Sequence, residues 1–157
     1  MTNGENGVRL FKLTQGKVAI VNSEDFEYLN QFKWCFHHGY AVRRTSRKLG
    51  FQRYFSMHKA IMGNKAVDHI NGNGLDNRRS NLRYANTSEN GANRKVSVNN
   101  TSKFKGVTLD GKKWKARIGV RNTRIYLGLH NTPEKAAIVY NLAAKKYFGE
   151  FARLNNI

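Results

Sequence analysis

Residues 67–94, VDHINGNGLDNRRSNLRYANTSENGANR, constrain the fold of this chain more than any other stretch. Runs at Val67-Asp68-His69-Ile70 and Asn81-Leu82-Arg83-Tyr84-Ala85 read as the ends of two short strands. Between them lies a polar connection rich in Asn and Gly, residues that tolerate left-handed backbone or bond their own main chain in turns. Thr87 or Ser88 then reads as the cap of a short helix, on which Asn90, Asn93 and Arg94 are neighbours at i, i+3 and i+4. A hairpin followed at once by a helix is expected to gather Asp68, His69, Asn81 and Asn90 into one small module.

A hairpin packed on a helix, with Asp-His at the end of the first strand and two Asn following in order, resembles the ββα-metal site of HNH nucleases. Hydrolysing a phosphodiester requires an activated water, neutralisation of the charge that builds on the phosphate, and stabilisation of the departing 3'-oxygen. The resemblance implies a hard divalent ion, Mg²⁺ or another such as Mn²⁺, for the last two. Asp68 and the amide oxygen of Asn90 are its natural protein ligands. His69, whose side chain titrates close to neutrality when unperturbed, is the natural general base. The resemblance gives Asn81 the part of bracing the loop and orienting His69 without touching the ion. Asn90 stands where many family members have His, which argues against a tight zinc site, and no zinc ribbon is expected. Taken singly, an Asp-His pair is usually a structural detail and an Asn-Gly run usually a turn. The nuclease reading rests on their occurring together with the intervening LDNRRSNLR run.

Charge says what kind of partner to expect. The 157 residues carry a formal charge of +18, with sixteen basic against seven acidic side chains in residues 1–98 and twelve against three in residues 99–157. A charge spread over both halves fits a polyanion laid along the whole molecule, and double-stranded DNA is the expected partner. A ribosomal-type RNA binder or a membrane-surface protein shares such a balance, but no long apolar run and no basic amphipathic helix with a bulky apolar face supports membrane contact. Cys35 is the only cysteine, so it is expected to be a buried, reduced thiol in a cytoplasmic protein. The start, MTNGENGVRLF, has neither the basic end nor the apolar stretch of a signal peptide.

Polar residues 1–7 are expected to be disordered. From Val8 a hairpin is predicted through Leu10, Lys12 and the Gln15-Gly16 turn into the strand at residues 17–21. Asn22 or Ser23 should cap a helix with Glu24 and Asp25 in its first turn and Phe26, Leu29 and Phe32 as its buried stripe. Residues 34–36 read as a strand, and residues 39–43 and 51–55 as a hairpin around Arg47, Lys48, Leu49 and Gly50. The hairpin carries Arg43, Arg44, Arg47, Lys48 and Arg53, either a solvated basic edge or, the favoured reading, a ribbon that tracks phosphates. A helix at residues 56–62, stopped at Gly63, places His58 where it is expected to pack or hydrogen-bond.

Residues 95–103, KVSVNNTSK, lack an apolar period and read as a linker. Beyond it Trp114, Ala116, Ile118 and Val120 alternate with Lys115, Arg117, Gly119 and Arg121. Ile125, Leu127 and Leu129 likewise alternate with Arg124, Tyr126, Gly128 and His130. These are predicted as antiparallel strands with one apolar and one basic face, preceded by a shorter strand at residues 105–109. A helix follows, with Thr132 as N-cap, Pro133 at its first position and Gly149 at its end. Its Ala136, Ala137, Tyr140, Ala143, Ala144 and Tyr147 would lie across the sheet. With its FKGV start, KWKARI, YLGLHNTPEKAA and closing FGEFARLNN, this segment is similar to the AP2 DNA-binding domain. The resemblance implies a sheet in the major groove, with Lys105, Thr108, Arg117, Arg124 and Tyr126 as candidate contacts and Lys113 and Lys115 on phosphates. Thr108 stands where Arg is usual, Arg117 where an acid is usual, and the turn at Asp110-Gly111-Lys112 is shorter, so base preference does not carry over.

The expected fold class is therefore α+β. An HNH nuclease domain over residues 8–94, with a β-rich N-terminal extension, is followed by an AP2-like three-stranded sheet on one helix over residues 104–157. The whole resembles HNH proteins with a C-terminal AP2 domain from bacteriophages and mobile elements, commonly regarded as homing endonucleases. It implies a monomer or weak dimer. One alternative is a DNA-binding regulator with an inactive HNH scaffold; the other is an RNA binder, which the strand face with Arg124 and Tyr126 suits less well.

Overall fold

The computed structural model describes residues 7–44 and 54–157. The expected disorder of residues 1–6, the hairpin turn at Arg47, Lys48 and Gly50, and the strand positions 51–53 with Arg53 lie outside the described residues. The chain is mixed α and β and divides into two compact units, Met1–Tyr84 and Ala85–Ile157.

In the first unit β1 (Val8–Lys12) and β2 (Val18–Asn22) form an antiparallel hairpin. Helix α1 (Ser23–Asn30) follows directly, with Glu24 and Asp25 in its first turn. Strands β3 (Cys35–His37), β4 (Tyr40–Arg44) and β5 (Tyr54–Ser56) make a second antiparallel sheet with β4 in the middle. Helix α2 (Met57–Met62) then ends at Gly63 and delivers the chain to β6 (Val67–His69), which pairs with β7 (Leu82–Tyr84). One core joins these pieces, with Val21, Leu29 and Met57 fully buried and Phe26, Phe32 and Phe36 packed on its margin. Each large apolar side chain buried there is worth about 1.5–3 kcal/mol. That matters because a two-stranded hairpin with three-residue strands is not stable alone.

In the second unit α3 (Thr87–Asn93) is capped by Asn86, one residue before Thr87 and two before Ser88. Asn86 Oδ1 accepts from the Ser88 and Glu89 amides, while the Glu89 carboxylate accepts from the Asn86 amide at 2.7 Å. This capping box satisfies donors that a Thr or Ser cap further along would leave bare. Strands β8 (Val107–Asp110), β9 (Lys113–Val120) and β10 (Thr123–His130) form an antiparallel sheet with β9 central. Helix α4 (Pro133–Phe148) starts behind Thr132, whose hydroxyl accepts from the Lys135 amide. Its Ala136, Ala137, Tyr140, Ala143 and Ala144 are buried with Val107, Ala116 and Ile118 of the sheet.

Simple alternation fails in β10. Pairing runs from Thr123↔Val120 to Tyr126↔Arg117, then slips, so that Leu129 stands opposite Lys115. The slip is a bulge at Gly128, whose φ of 102° is open to glycine and strained for other residues. Leu129, expected on the apolar face, is turned to the basic one and is 46% exposed. Ahead of the sheet, residues 97–104 are organised by the buried Ser102, whose Oγ lies 2.8 Å from Val107 O.

Candidate active site

Asp68 and His69 sit at the end of β6, both buried. Asp68 is directly across from Arg83 in the β6–β7 register, and its Oδ2 accepts from Arg83 Nε at 3.0 Å and Nη2 at 2.9 Å. The side chains are 9% and 14% exposed, so this cross-strand ion pair is largely shielded from water. His69 Nε2 lies 3.3 Å from Asn77 Oδ1. With the amide oxygen as acceptor, the ring proton is on Nε2 and the basic lone pair is on Nδ1. Burial lowers the His69 pKa, against the opposing pull of the Asn77 hydrogen bond and the Asp68 and Asp76 carboxylates. The ring is thus held neutral, the form in which it accepts a proton.

Two more rings surround His69. His58 of α2 is set edge-on to it at 4.9 Å, and Tyr40 of β4 lies 5.7 Å from His58 and 5.8 Å from His69. The packing role expected for His58 is seen in this ring contact. Its Nδ1 is buried without a hydrogen-bond partner among the described residues, and burial, then the neighbouring His69 and Lys59, lower its pKa to about 4. Gly74 lets the β6–β7 loop reach this cluster: a Cβ there would lie 2.5 Å from Gly39 O and from the Tyr40 ring.

The loop itself is built from polar contacts. Asn81 Nδ2 donates to Asp76 O at 2.7 Å and to Asn71 Oδ1 at 3.1 Å, while its Oδ1 accepts from the Asn71 amide. Asp76 receives Arg78 through two nitrogens and Asn71 Nδ2, and these hydrogen bonds, Arg78 first, hold its carboxyl below the usual range. The loop is also fastened to the N-terminal hairpin. Ile20 N donates to Leu75 O and Asn77 N to Ile20 O, each at 2.8 Å. Arg79 N donates to Asn22 Oδ1, and its guanidinium forks onto Asp25. Asn22 precedes α1 as its cap residue, yet its side chain serves the loop instead of the helix.

Asn77, Asp76, Asn71 and Arg83 were not singled out from sequence. Asn77 is fully buried, and its Nδ2 has no hydrogen-bond partner among the described residues. The only signal was the LDNRRSNLR run as a whole, in which nothing local separates Asn77 from Asn81. Asn90 lies half-buried on α3, in the second unit. Among the described residues, no group of three or more His, Cys, Asp and Glu side chains is arranged to hold a metal ion.

The candidate nucleic-acid residues fall into three groups. On the outward face of the β8–β10 sheet, Lys113, Arg117, Arg124 and Tyr126 are exposed, with Thr108 and Lys115 half-buried beside them. Lys115 is tied to Asp110 at 2.6 Å. Lys105 does not join this face. It precedes β8, is bracketed by Asn155 through both its amide and its carbonyl, and sends Nζ to the carbonyls of Gly91 and Ala92. At the end of β4, Arg44 is exposed, but Arg43 lies over the Phe32 ring at 3.9 Å and near Phe55 at 5.2 Å. Arg43 is thus a stacked side chain first.

Residues 60–92, which hold the Asp68-His69 pair and Asn81, match the HNH endonuclease family. This points to a nuclease. Over 148 residues the chain is also 32% identical to a protein of Acanthamoeba polyphaga mimivirus named "Uncharacterized HNH endonuclease L560", covering 91% of this chain and 77% of the relative. The chain belongs to the HNH endonuclease family. No helix among the described residues is long and apolar enough to cross a membrane.

Proposed function

We propose that this protein is a divalent-metal-dependent DNA endonuclease of the homing type, with a ββα-metal module that includes the β6–β7 hairpin. The observation that carries the reading is His69, buried beside Asp68 at the strand end with its Nε2 3.3 Å from the buried Asn77 Oδ1. In this reading Nδ1 takes the proton of the water that attacks phosphorus, so the hydrolysis begins at a base already in its working form. The donor types that the family resemblance assigns, a carboxylate oxygen from Asp68 and an amide oxygen from Asn90 with no thiolate, are those a hard ion takes. Such an ion, Mg²⁺ or Mn²⁺, would supply charge neutralisation at the phosphate and at the departing 3'-oxygen. Asn81 keeps the loop closed, and Asn77 orients the His69 ring from a position that no solvent reaches.

The outward sheet face, with Arg117, Arg124 and Tyr126 at its centre, anchors the enzyme in the major groove as an AP2-like module. Thr108, Lys113 and Lys115 flank them, and Arg43 and Arg44 extend the basic surface of the first unit. Joining two modestly binding modules raises affinity through effective concentration. The protein acts as a monomer or weak dimer, and a single site cuts one strand at a time.

A second reading, a DNA-binding regulator on an inactive scaffold, draws on one observation: Arg83 occupies Asp68 Oδ2 through two nitrogens. Relaxation of supercoiled plasmid with Mg²⁺, with and without chelator, separates the two. Metal-dependent nicking by the native chain, absent in His69→Ala that still binds DNA, is the expected result. No cleavage of any DNA that the native chain binds would hand the case to the regulator.

A further inference from the structure

Five cationic side chains, Arg94, Lys95, Lys103, Lys105 and Arg153, meet around one cavity of about 270 Å³ within the second unit. It lies where α3 ends, beside the turn that leads to β8 and the C-terminal segment. Among the described residues no Asp or Glu lines it. Such a gathering of like charge is unfavourable unless something offsets it.

Part of the cluster has a structural explanation. The last carbonyls of a helix need partners beyond its own ladder, and Lys105 Nζ reaches those of Ala92 and of Gly91, which also accepts from the Arg94 amide. Arg153 N donates to Ala92 O, and Arg153 Nε to Asn93 O at 2.8 Å. The arrangement is rigid, because Asn155 pairs with both the amide and the carbonyl of Lys105 and also bonds Asn141 of α4. This accounts for two of the five cations. Arg94, Lys95 and Lys103 are exposed, and among the described residues none of them has an ion-pair partner.

We propose that this cavity binds a backbone phosphate of duplex DNA, with Arg94, Lys95 and Lys103 as its contacts and Arg153 and Lys105 as its fixed cationic floor. The inference rests on the DNA-nuclease reading above and adds to it a contact surface separate from the sheet face. Size supports a phosphate over a nucleoside, since pockets that enclose drug-sized ligands run from roughly 300 to 1,000 Å³. The floor also shows the repulsion that an anion would relieve: burial, then Arg153 and Arg94, push the Lys105 ammonium down to about 8. Arg94 follows Asn90 by one helical turn, so a phosphate held here lies near the proposed ion ligand.

The test is binding of a labelled DNA duplex by fluorescence anisotropy across a range of KCl. The native chain is compared with Arg94→Gln/Lys95→Gln/Lys103→Gln and with a control of equal charge loss on the exposed side of α4, Lys135→Gln/Lys145→Gln/Lys146→Gln. Each phosphate contact contributes about 0.9 to the slope of log K against log salt. The pocket variant should lose roughly 2 to 3 from that slope and bind about tenfold or more weakly at moderate salt, with thermal unfolding unchanged. The control should keep the native slope. An unchanged slope in the pocket variant, or an equal loss in the control, overturns the site; a loss seen only with duplex RNA overturns the DNA assignment. A native chain that binds but never nicks would sink the nuclease reading and leave this comparison standing.

Discussion

Replacing His58 by Phe should flatten the acid side of the stability curve. His58 is 8% exposed, faces His69 edge-on, and has Lys59 and Tyr40 as its other polar or charged neighbours. Its pKa falls from 6.5 in the free side chain to about 4 in the fold. Between those values the unfolded chain binds a proton that the folded chain refuses, so stability is fully present above the higher pKa and drains away as pH falls towards the lower one. The whole effect is about 3 kcal/mol, and roughly 2 kcal/mol of it is spent by pH 5. Phe preserves the ring and its contact with His69, and the substitution removes the Nδ1 that has no partner among the described residues. Urea unfolding of both proteins from pH 7.5 to pH 5 measures the difference. The native chain should lose about 2 kcal/mol more than His58→Phe over that span. Parallel curves would refute the claim that His58 is held neutral by burial. His69 is present in both proteins but is coupled to His58, so its own titration is followed by NMR in each and subtracted.

Other consequences follow from named contacts. Asn81→Ala strands Asp76 O and the Asn71 amide, groups that cost about 1–3 kcal/mol each when left unsatisfied, so a loss of roughly 2–4 kcal/mol is expected in urea unfolding; a loss below about 1 kcal/mol would mean the loop closes without it. Arg124→Ala should weaken DNA binding by about 1–3 kcal/mol if it reads a base in the major groove, and equal affinity across several duplex sequences would remove it from the interface. Asp68→Ala should abolish Mg²⁺-dependent nicking at ordinary ion concentration, with partial return at high Mg²⁺; full activity without it would dismiss Asp68 as a ligand.

Local patterns carried the second unit far. Thr132, Pro133 and Gly149 mark both ends of α4 because the first turn needs a side-chain acceptor, tolerates a residue without an amide proton, and the last turn needs a residue free of Cβ strain. The same kind of signal marked α3, where Asn86 and Glu89 have the spacing of a capping box, but the cap was expected one or two residues later. Alternation fails at Leu129 because a period of two has no way to register the extra residue that Gly128 admits. Lys105 fits the alternation of a strand from residue 105, but the strand begins only at Val107, after Asn155 pairs with the Lys105 backbone and its Nζ turns to the α3 carbonyls.

In the first unit the sequence pointed to Asp68 and His69 but not to what holds them. Their hairpin has three residues per strand, too few to fix a catalytic ring by strand pairing alone. The missing constraint comes from more than fifty positions earlier in the chain: Asp25 grips Arg79 and Asn22 takes its amide. Ile20, in the same N-terminal segment, pairs with both Leu75 and Asn77. Asn77 is therefore fastened by its main chain to β2 and by its side chain to His69. The N-terminal hairpin is in this sense part of the site, because it is the rigid body against which the loop, and through Asn77 the His69 ring, is set. No local pattern could show it, since each of those contacts joins residues that are ordinary where they stand and meaningful only in pairs.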